Sequence, residues 1–454
     1  MRRGAVERTA PFNIGTMCPS DPPLCRHGPF ALPVRVEARF GRTCYHRPPH
    51  SIARMVTRFV GIRRPRAPPS EAAGRVSAES VLSLDEDHPP RKGRTTLGTR
   101  ELRDGFGRSI TYLRISVTDK CNYRCVYCMP AEGVAARSHE ELLSAEEIAR
   151  FVALVAREGI RRIRLTGGEP LVSHRIVPLI RSIRAIPEIE DISLTTNGAL
   201  LPRMADDLRD AGLDRVNISL DTLDPAQFSR ITRLGRLEQA MAGIDAALAY
   251  GFHPVKVNTV VVRRLHQDAL GLARLSLDRP VHVRFIEYMP IGNEETMAAC
   301  KNEPHCPPGR SGAAPELHPE AWDASDIVPS DELREAISAA GEAAGIGGLV
   351  PVDGAGPDGA GPARYWRFPG AAGTVGFISA MSNHFCSHCN RLRLTADGTL
   401  RPCLFSDDEY PVREALRAGD DGRVLDIYRT AIARKPLEHE TADGTARFMS
   451  QIGG

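Results

Sequence analysis

The chain has 454 residues, of which 42% are hydrophobic and 25% charged, and its formal net charge is only +3. That balance excludes a general attraction to nucleic acid or to an anionic membrane, while the length suffices for one large or two medium hydrophobic cores. No apolar run reaches the roughly 20 residues that span a bilayer, and no secretory apolar stretch follows Met1-Arg2-Arg3.

A reducing, cytoplasmic location is expected, or an organellar matrix if a transit peptide leads the chain. In such a compartment the eleven cysteines read as metal ligands or free thiols more readily than as disulfides.

Residues 1–98 are rich in Pro and Arg, with acidic residues sparse before Glu71. They are expected to be disordered, and a transit peptide or a start codon read too far upstream fits the same composition. From Tyr112 the texture changes to short β-branched runs alternating with amphipathic segments, the pattern of parallel βαβ units.

The expected strands are Leu113–Thr118, Arg161–Leu165, Asp191–Thr195, Arg215–Leu220, Val255–Val262 and Val281–Glu287. Between the first two, Ser144 and Glu147 form a capping box, Ile148, Phe151, Val152 and Val155 share one face, and Gly159 ends the helix. Six such strands suggest an open barrel over residues 99–292.

In barrels of this kind the chemistry sits where strands run into their following loops. Polar residues cluster at those ends: Asp119-Lys120-Cys121, Gly167-Gly168-Glu169-Pro170, Thr196-Asn197-Gly198, Ser219-Leu220-Asp221, Lys256 with Asn258, and Glu287.

A Pro/Gly/Ala-rich insertion and linker is expected over 293–363, with Cys300 and Cys306 as free thiols in its 295–325 part. Its Gly354-Ala355-Gly356-Pro357-Asp358-Gly359 matches GxGxxG in form only, because no strand precedes it and prolines spoil the helix start. Patterning resumes near Tyr365, and a smaller domain is expected over 364–454.

Cys121, Cys125 and Cys128 form CxxxCxxC on a loop after the first strand. Three thiolates can hold three irons of a [4Fe–4S] cube and leave the fourth open to a non-protein ligand. A second group, Cys386, Cys389 and Cys403, again offers three thiolates. A zinc ribbon closed by His384 or His388 is the alternative there. Arg391 and Arg393 alternate along the next strand, so both point to one face, where guanidinium forks suit a triphosphate.

CxxxCxxC together with Gly167-Gly168-Glu169-Pro170 resembles the radical SAM superfamily, whose open iron is chelated by S-adenosylmethionine. The run from Gly376 to Phe405, GFISAMSNHFCSHCNRLRLTADGTLRPCLF, resembles the C-terminal cluster motif of the MoaA-type GTP 3′,8-cyclases of molybdenum-cofactor biosynthesis. The resemblance covers roughly 107–292 and 364–454.

It implies an α/β fold, an incomplete (β/α)6 TIM-like barrel with a smaller C-terminal Fe–S domain. It implies a lyase that cleaves S-adenosylmethionine to a 5′-deoxyadenosyl radical, takes hydrogen from C3′ of GTP and yields 3′,8-cyclo-7,8-dihydro-GTP. Two [4Fe–4S] clusters follow, one on Cys121, Cys125 and Cys128, the other on Cys386, Cys389 and Cys403.

By matching positions, Tyr127, Gly168, Ser219 and Met289 line S-adenosylmethionine. Arg114, Arg164, Thr195, Lys256, Arg391, Leu392 and Arg393 contact GTP, with Lys256, Arg391, Arg393, Gly453 and Gly454 counted as catalytic. Gly453-Gly454 resembles a tail that enters the active site and holds an arginine in place. The implied partners are a flavodoxin or ferredoxin as electron donor, cyclic pyranopterin monophosphate synthase downstream, and a second copy in a homodimer; nucleic acid and membrane are not expected. Ser173-His174 and Arg263-Arg264-Leu265-His266 depart from the family pattern.

Two rivals remain open. A peptide-maturing radical enzyme with an auxiliary cluster would lack the NRLRL arginines and the Gly-Gly end. A zinc protein, perhaps one that binds nucleic acid, would contain zinc rather than iron.

Overall fold

Six parallel strands carry the fold: β1 (Tyr112–Ser116), β2 (Arg162–Thr166), β3 (Asp191–Thr196), β4 (Arg215–Ser219), β5 (Val255–Val261) and β6 (Val281–Glu287). They lie side by side in chain order, and β1 and β6 do not pair with each other, so the barrel stays open. This is a computed structural model, and it describes residues 102–135, 137–292, 324–353, 356–357, 361–439 and 445–453. The expected extension 1–98, Cys300 and Cys306, and Gly454 lie outside the described residues.

Helices α1 (Ala145–Ala156), α2 (Ile176–Arg184), α3 (Leu201–Asp210), α4 (Pro225–Thr232), α5 (Leu237–Ala249) and α6 (Ala269–Asp278) connect the strands. The first shows why. Ser144 Oγ accepts from the Glu147 amide at 3.1 Å while the Glu147 carboxylate accepts from the Ser144 amide at 2.7 Å, closing the capping box. Ile148, Phe151, Val152 and Val155 are buried, each worth about 1.5–3 kcal/mol when fully withdrawn from water. The helix stops at Ala156 and a further turn runs to Gly159, whose amide bonds the Ala156 carbonyl at 3.2 Å.

Strand alternation sorts the two faces of the sheet. Leu392, Leu113, Ile163 and Ile192 sit in one register row and are fully buried in the core. The residues between them point the other way, into the barrel.

The segment after residue 364 contributes strands to both edges of this sheet. β9 (Thr374–Ile378) pairs parallel with β6, and β8 (Arg364–Arg367) and β7 (Val350–Pro351) extend that edge. β10 (Arg391–Leu394) pairs parallel with β1, followed outward by β11 (Thr399–Arg401) and β12 (Tyr410–Pro411). The sheet is therefore twelve-stranded and runs unbroken through the boundary expected at 364.

The stretch expected as linker holds a helix, Ser330–Ala343, with Asp331 and Glu332 in its first turn and Leu333, Ile337 and Gly341 buried. Its apolar positions at i, i+4 and i+8 are masked by alanine and glycine, which is why composition read it as irregular.

Candidate active site

The inward residues form register rows. Arg391, Tyr112, Arg162 and Asp191 make the first, and Arg393, Arg114, Arg164, Ser193 and Arg215 the second. Further along, Ser219, Asn258 and Arg284 align. So many guanidinium groups crowd one another. Burial, with neighbouring arginines, pushes Arg393 down to about 10 and Arg114 well below the ordinary arginine range. Arg164 also falls to about 10, by burial first, against the opposing pull of Tyr112. Burial would raise the Tyr112 phenol, but the arginines at 164, 114, 391 and 215 hold it below its usual value. Such a cluster is costly until an anion enters it.

Tyr112 and the arginines of these rows, with Ser219 and Asn258, line a cavity of about 320 Å³ that is also lined by all six expected cluster cysteines. Cys121, Cys125 and Cys128 lie on the loop after β1, where the Cys128 amide turns back onto the Cys125 carbonyl at 2.9 Å. Cys386 and Cys389 flank a single 3-10 turn, and Cys403 follows β11. All six are free thiols.

Burial pushes Cys121 up to about 11 and Cys128 up to about 12, and it raises Cys125 well above the ordinary thiol value. The second trio differs. Burial would raise Cys389 too, but Lys435 and Arg391 bring it below the ordinary thiol value.

The donor set fits iron–sulfur clusters. Two trios of thiols open onto one cavity, and each can bind three corners of a cube. His388 is exposed and hydrogen-bonded to Ser387, and His384 faces Glu438 at 3.5 Å.

Carboxylates gather beside the first trio. Glu169 accepts from Thr196 Oγ1 at 2.7 Å and from the Asn197 amide at 2.7 Å, and burial raises it to about 7. Asp221 accepts from Tyr127 Oη at 2.6 Å and from the Val260 amide at 2.9 Å, and burial raises it to about 6. One part of the cavity thus favours a cation and another a polyanion.

Of the residues expected around S-adenosylmethionine, Tyr127, Gly168, Ser219 and Met289 all line the cavity. At Gly168 a Cβ would lie 2.4 Å from the Lys120 carbonyl, so the close approach that this glycine permits is to the backbone leading into Cys121. Of those expected to meet GTP, Arg114, Arg164, Thr195, Lys256, Arg391 and Arg393 line it as well.

Leu392 does not. It alternates between the two arginines and its side chain is fully buried in the core, a consequence of the period of two that points its neighbours inward. Lys256 Nζ donates to the Pro357 carbonyl at 3.0 Å. Gly453, beyond the last helical turn, accepts from Arg393 Nη1 at 2.6 Å.

Glu287 serves structure instead. Its carboxylate accepts from the amides of Ser330, Met381 and Ser382 at 2.7–2.8 Å and from the Ser382 hydroxyl. Arg215, Arg284 and Tyr112 were not singled out by sequence. The signal was present in the alternation Arg215-Asn217-Ser219, since polar side chains at every second position of a buried strand must face a polar interior.

An open parallel barrel with three thiols after its first strand and a glycine turn after its second defines a radical S-adenosylmethionine enzyme. Residues 115–275 match the Radical SAM superfamily, and residues 315–441 match Molybdenum Cofactor Synthesis C. Relatives called GTP 3′,8-cyclase include one from Pelotomaculum thermopropionicum, 47% identical over 78% of this chain and 100% of its own length. Another, from Moorella thermoacetica, is 48% identical over 78% of this chain and its full length. A third, from Heliobacterium modesticaldum, is 46% identical over 77% of this chain and 99% of the relative. This chain belongs to the GTP 3′,8-cyclase family.

Proposed function

We propose that the chain is a GTP 3′,8-cyclase, a lyase that removes the hydrogen atom at C3′ of GTP, joins C3′ to C8 and forms 3′,8-cyclo-7,8-dihydro-GTP in the first step of molybdopterin synthesis. The observation that carries the reading is a single cavity that unites both cysteine trios with the arginine rows. When bound on Cys121, Cys125 and Cys128, a [4Fe–4S] cluster supplies the electron that splits S-adenosylmethionine and so generates the abstracting radical.

The protein's own groups do the positioning. Glu169 and Asp221 favour the cationic end of S-adenosylmethionine, with Tyr127, Gly168, Ser219 and Met289 around it. Arg114, Arg164, Arg391 and Arg393 neutralise the triphosphate, helped by Lys256, and Thr195 completes the wall. Enclosure excludes water from the radical step and fixes the two reacting carbons near one another. The Gly453 carbonyl holds the Arg393 fork in its orientation.

A second [4Fe–4S] cluster on Cys386, Cys389 and Cys403 would hold the guanine base. A one-electron carrier such as flavodoxin or ferredoxin supplies reducing equivalents, and cyclic pyranopterin monophosphate synthase consumes the product.

Anaerobic incubation of the reconstituted protein with S-adenosylmethionine, a reductant and either GTP or ATP tests the reading. Several-fold more 5′-deoxyadenosine with GTP supports it. Equal amounts with both nucleotides would remove GTP as substrate.

A further inference from the structure

The last described turn, Met449–Ile452, reaches the cavity from outside the barrel, so something must hold it there. Phe448 and Ile452 are 4% and 1% exposed, and Gly453 takes a left-handed φ of +72° with Thr166 Oγ1 only 2.5 Å from where a Cβ would be. Three such positions are few to hold a terminal segment in place. The polar anchor lies just before them.

Arg447 Nη1 reaches both oxygens of Asp397, at 3.2 and 2.9 Å, while Arg447 Nη2 and Nε each lie 2.6 Å from an oxygen of Glu409. The fork is thus gripped from two sides. Asp397 sits in the turn between β10 and β11, and Glu409 just before β12, so both carboxylates belong to the sheet edge that begins with Arg391 and Arg393. Around the fork, the Ala446 amide donates to Asp407 at 3.1 Å and Thr445 Oγ1 donates to the Arg447 carbonyl at 2.7 Å. Arg447 and Asp397 side chains are each 14% exposed, dry enough for that pair to escape most solvent screening, while Glu409 is 30% exposed.

Each carboxylate also has a second arginine. Arg137 Nη1 is 2.6 Å from Asp397, and the fully buried Arg401 is 2.5 Å from Glu409. Loss of Arg447 would therefore leave neither acid orphaned, and the sheet edge would survive.

We propose that Arg447 is a positioning residue whose guanidinium, clamped between Asp397 and Glu409, locks the C-terminal tail onto the β10–β11 hairpin and so holds the Gly453 carbonyl against Arg393. The hairpin makes the link short: Arg393 is four residues from Asp397, and Arg447 is six from Gly453. The clamp sets the tail's reach relative to the very strand whose arginine it orients. This inference rests on the cyclase reading for its catalytic consequence, though not for the clamp itself.

The test uses the reconstituted full-length protein and the variants R447M and R447K, with E409Q as a second route to a weakened clamp. For R447M, cyclisation of GTP is expected to fall about 10- to 100-fold, the scale of a misplacement of about 1 Å at a reacting site, with iron per chain unchanged. Carboxypeptidase should release the terminal glycines at least about tenfold faster than from the parent, because the tail's ordering free energy is lost. R447K, which keeps the charge but not the fork, should lie between the two in both readouts, and E409Q should shift both in the direction of R447M. Parental turnover in R447M, or a tail as protected as the parent's, overturns the clamp. If the parent itself makes no cyclised product the cyclase reading fails, while the protease arm still decides the clamp.

Discussion

Replacing Arg164 with methionine separates a substrate-binding charge cluster from a structural ion network, because the two make opposite statements about stability. Arg164 donates to Ser193 Oγ at 3.2 Å and lies 5.6 Å from the centroid of the Tyr112 ring. A structural arginine with those contacts should cost about 1–3 kcal/mol when lost.

Its pKa, however, is pushed from 12.5 down to about 10 by burial and by Arg284 and Arg215, against the opposing pull of Tyr112. That corresponds to about 3 kcal/mol of penalty on the charged form. The side chain is half-buried and faces the cavity, so water screens about half of it, leaving about 1–2 kcal/mol. Relief and lost contacts nearly cancel. R164M without nucleotide should therefore melt within about two or three degrees of the parent.

The folded pKa lies below the unfolded one, so the penalty is full below about pH 10 and lifts as pH rises through 10. Any stability advantage of R164M should shrink in strongly alkaline buffer. Nucleotide reverses the order. GTP at 100 times its Kd adds about 2.7 kcal/mol to the parent, and loss of one charged contact of about 1.5–3 kcal/mol should erase most of that shift in R164M. Calorimetric melts of both proteins with and without GTP decide the matter. A drop of several degrees in nucleotide-free R164M, with an undiminished GTP shift, would refute the reasoning.

Gly453→Ala meets Thr166 Oγ1 at 2.5 Å and must hold a φ of +72°, about 2–4 kcal/mol of strain in all, so turnover should fall at least about tenfold while iron content stays constant. Cys403→Ala should lower iron and sulfide to about half of the parent's, read by elemental analysis, and should leave S-adenosylmethionine binding in place. Glu287→Gln puts a donor where three amides and a hydroxyl already donate, and should cost about 3 kcal/mol in urea unfolding.

Much of the barrel was legible because period and punctuation agree. The six strands were bounded to within two residues, since Ile163 and Leu165 or Val257 and Val283 enter the apolar core while their neighbours Arg164, Lys256 and Arg284 turn to the cavity on the other face. Both cysteine trios were visible as spacing. What spacing does not contain is pairing between distant segments, so β9 and β10 closing onto β6 and β1 could not be seen.

Leu392 was drawn toward the nucleotide by its place between Arg391 and Arg393, whereas alternation turns its side chain into the core. Arg215 and Arg284 escaped notice because each is the single arginine of its strand, and only the register rows reveal how many others face it. Glu287 looked like a site residue because it ends a strand, yet its acceptors are spent on the backbone of two other segments.

The central claim is hydrogen abstraction from C3′ of GTP, and GTP deuterated at that carbon tests it most directly. Incubated anaerobically with S-adenosylmethionine and a reductant, the protein should give 5′-deoxyadenosine carrying the deuterium, together with a cyclised nucleotide that has lost it. Deuterium-free 5′-deoxyadenosine, with the label retained in GTP, would contradict the account.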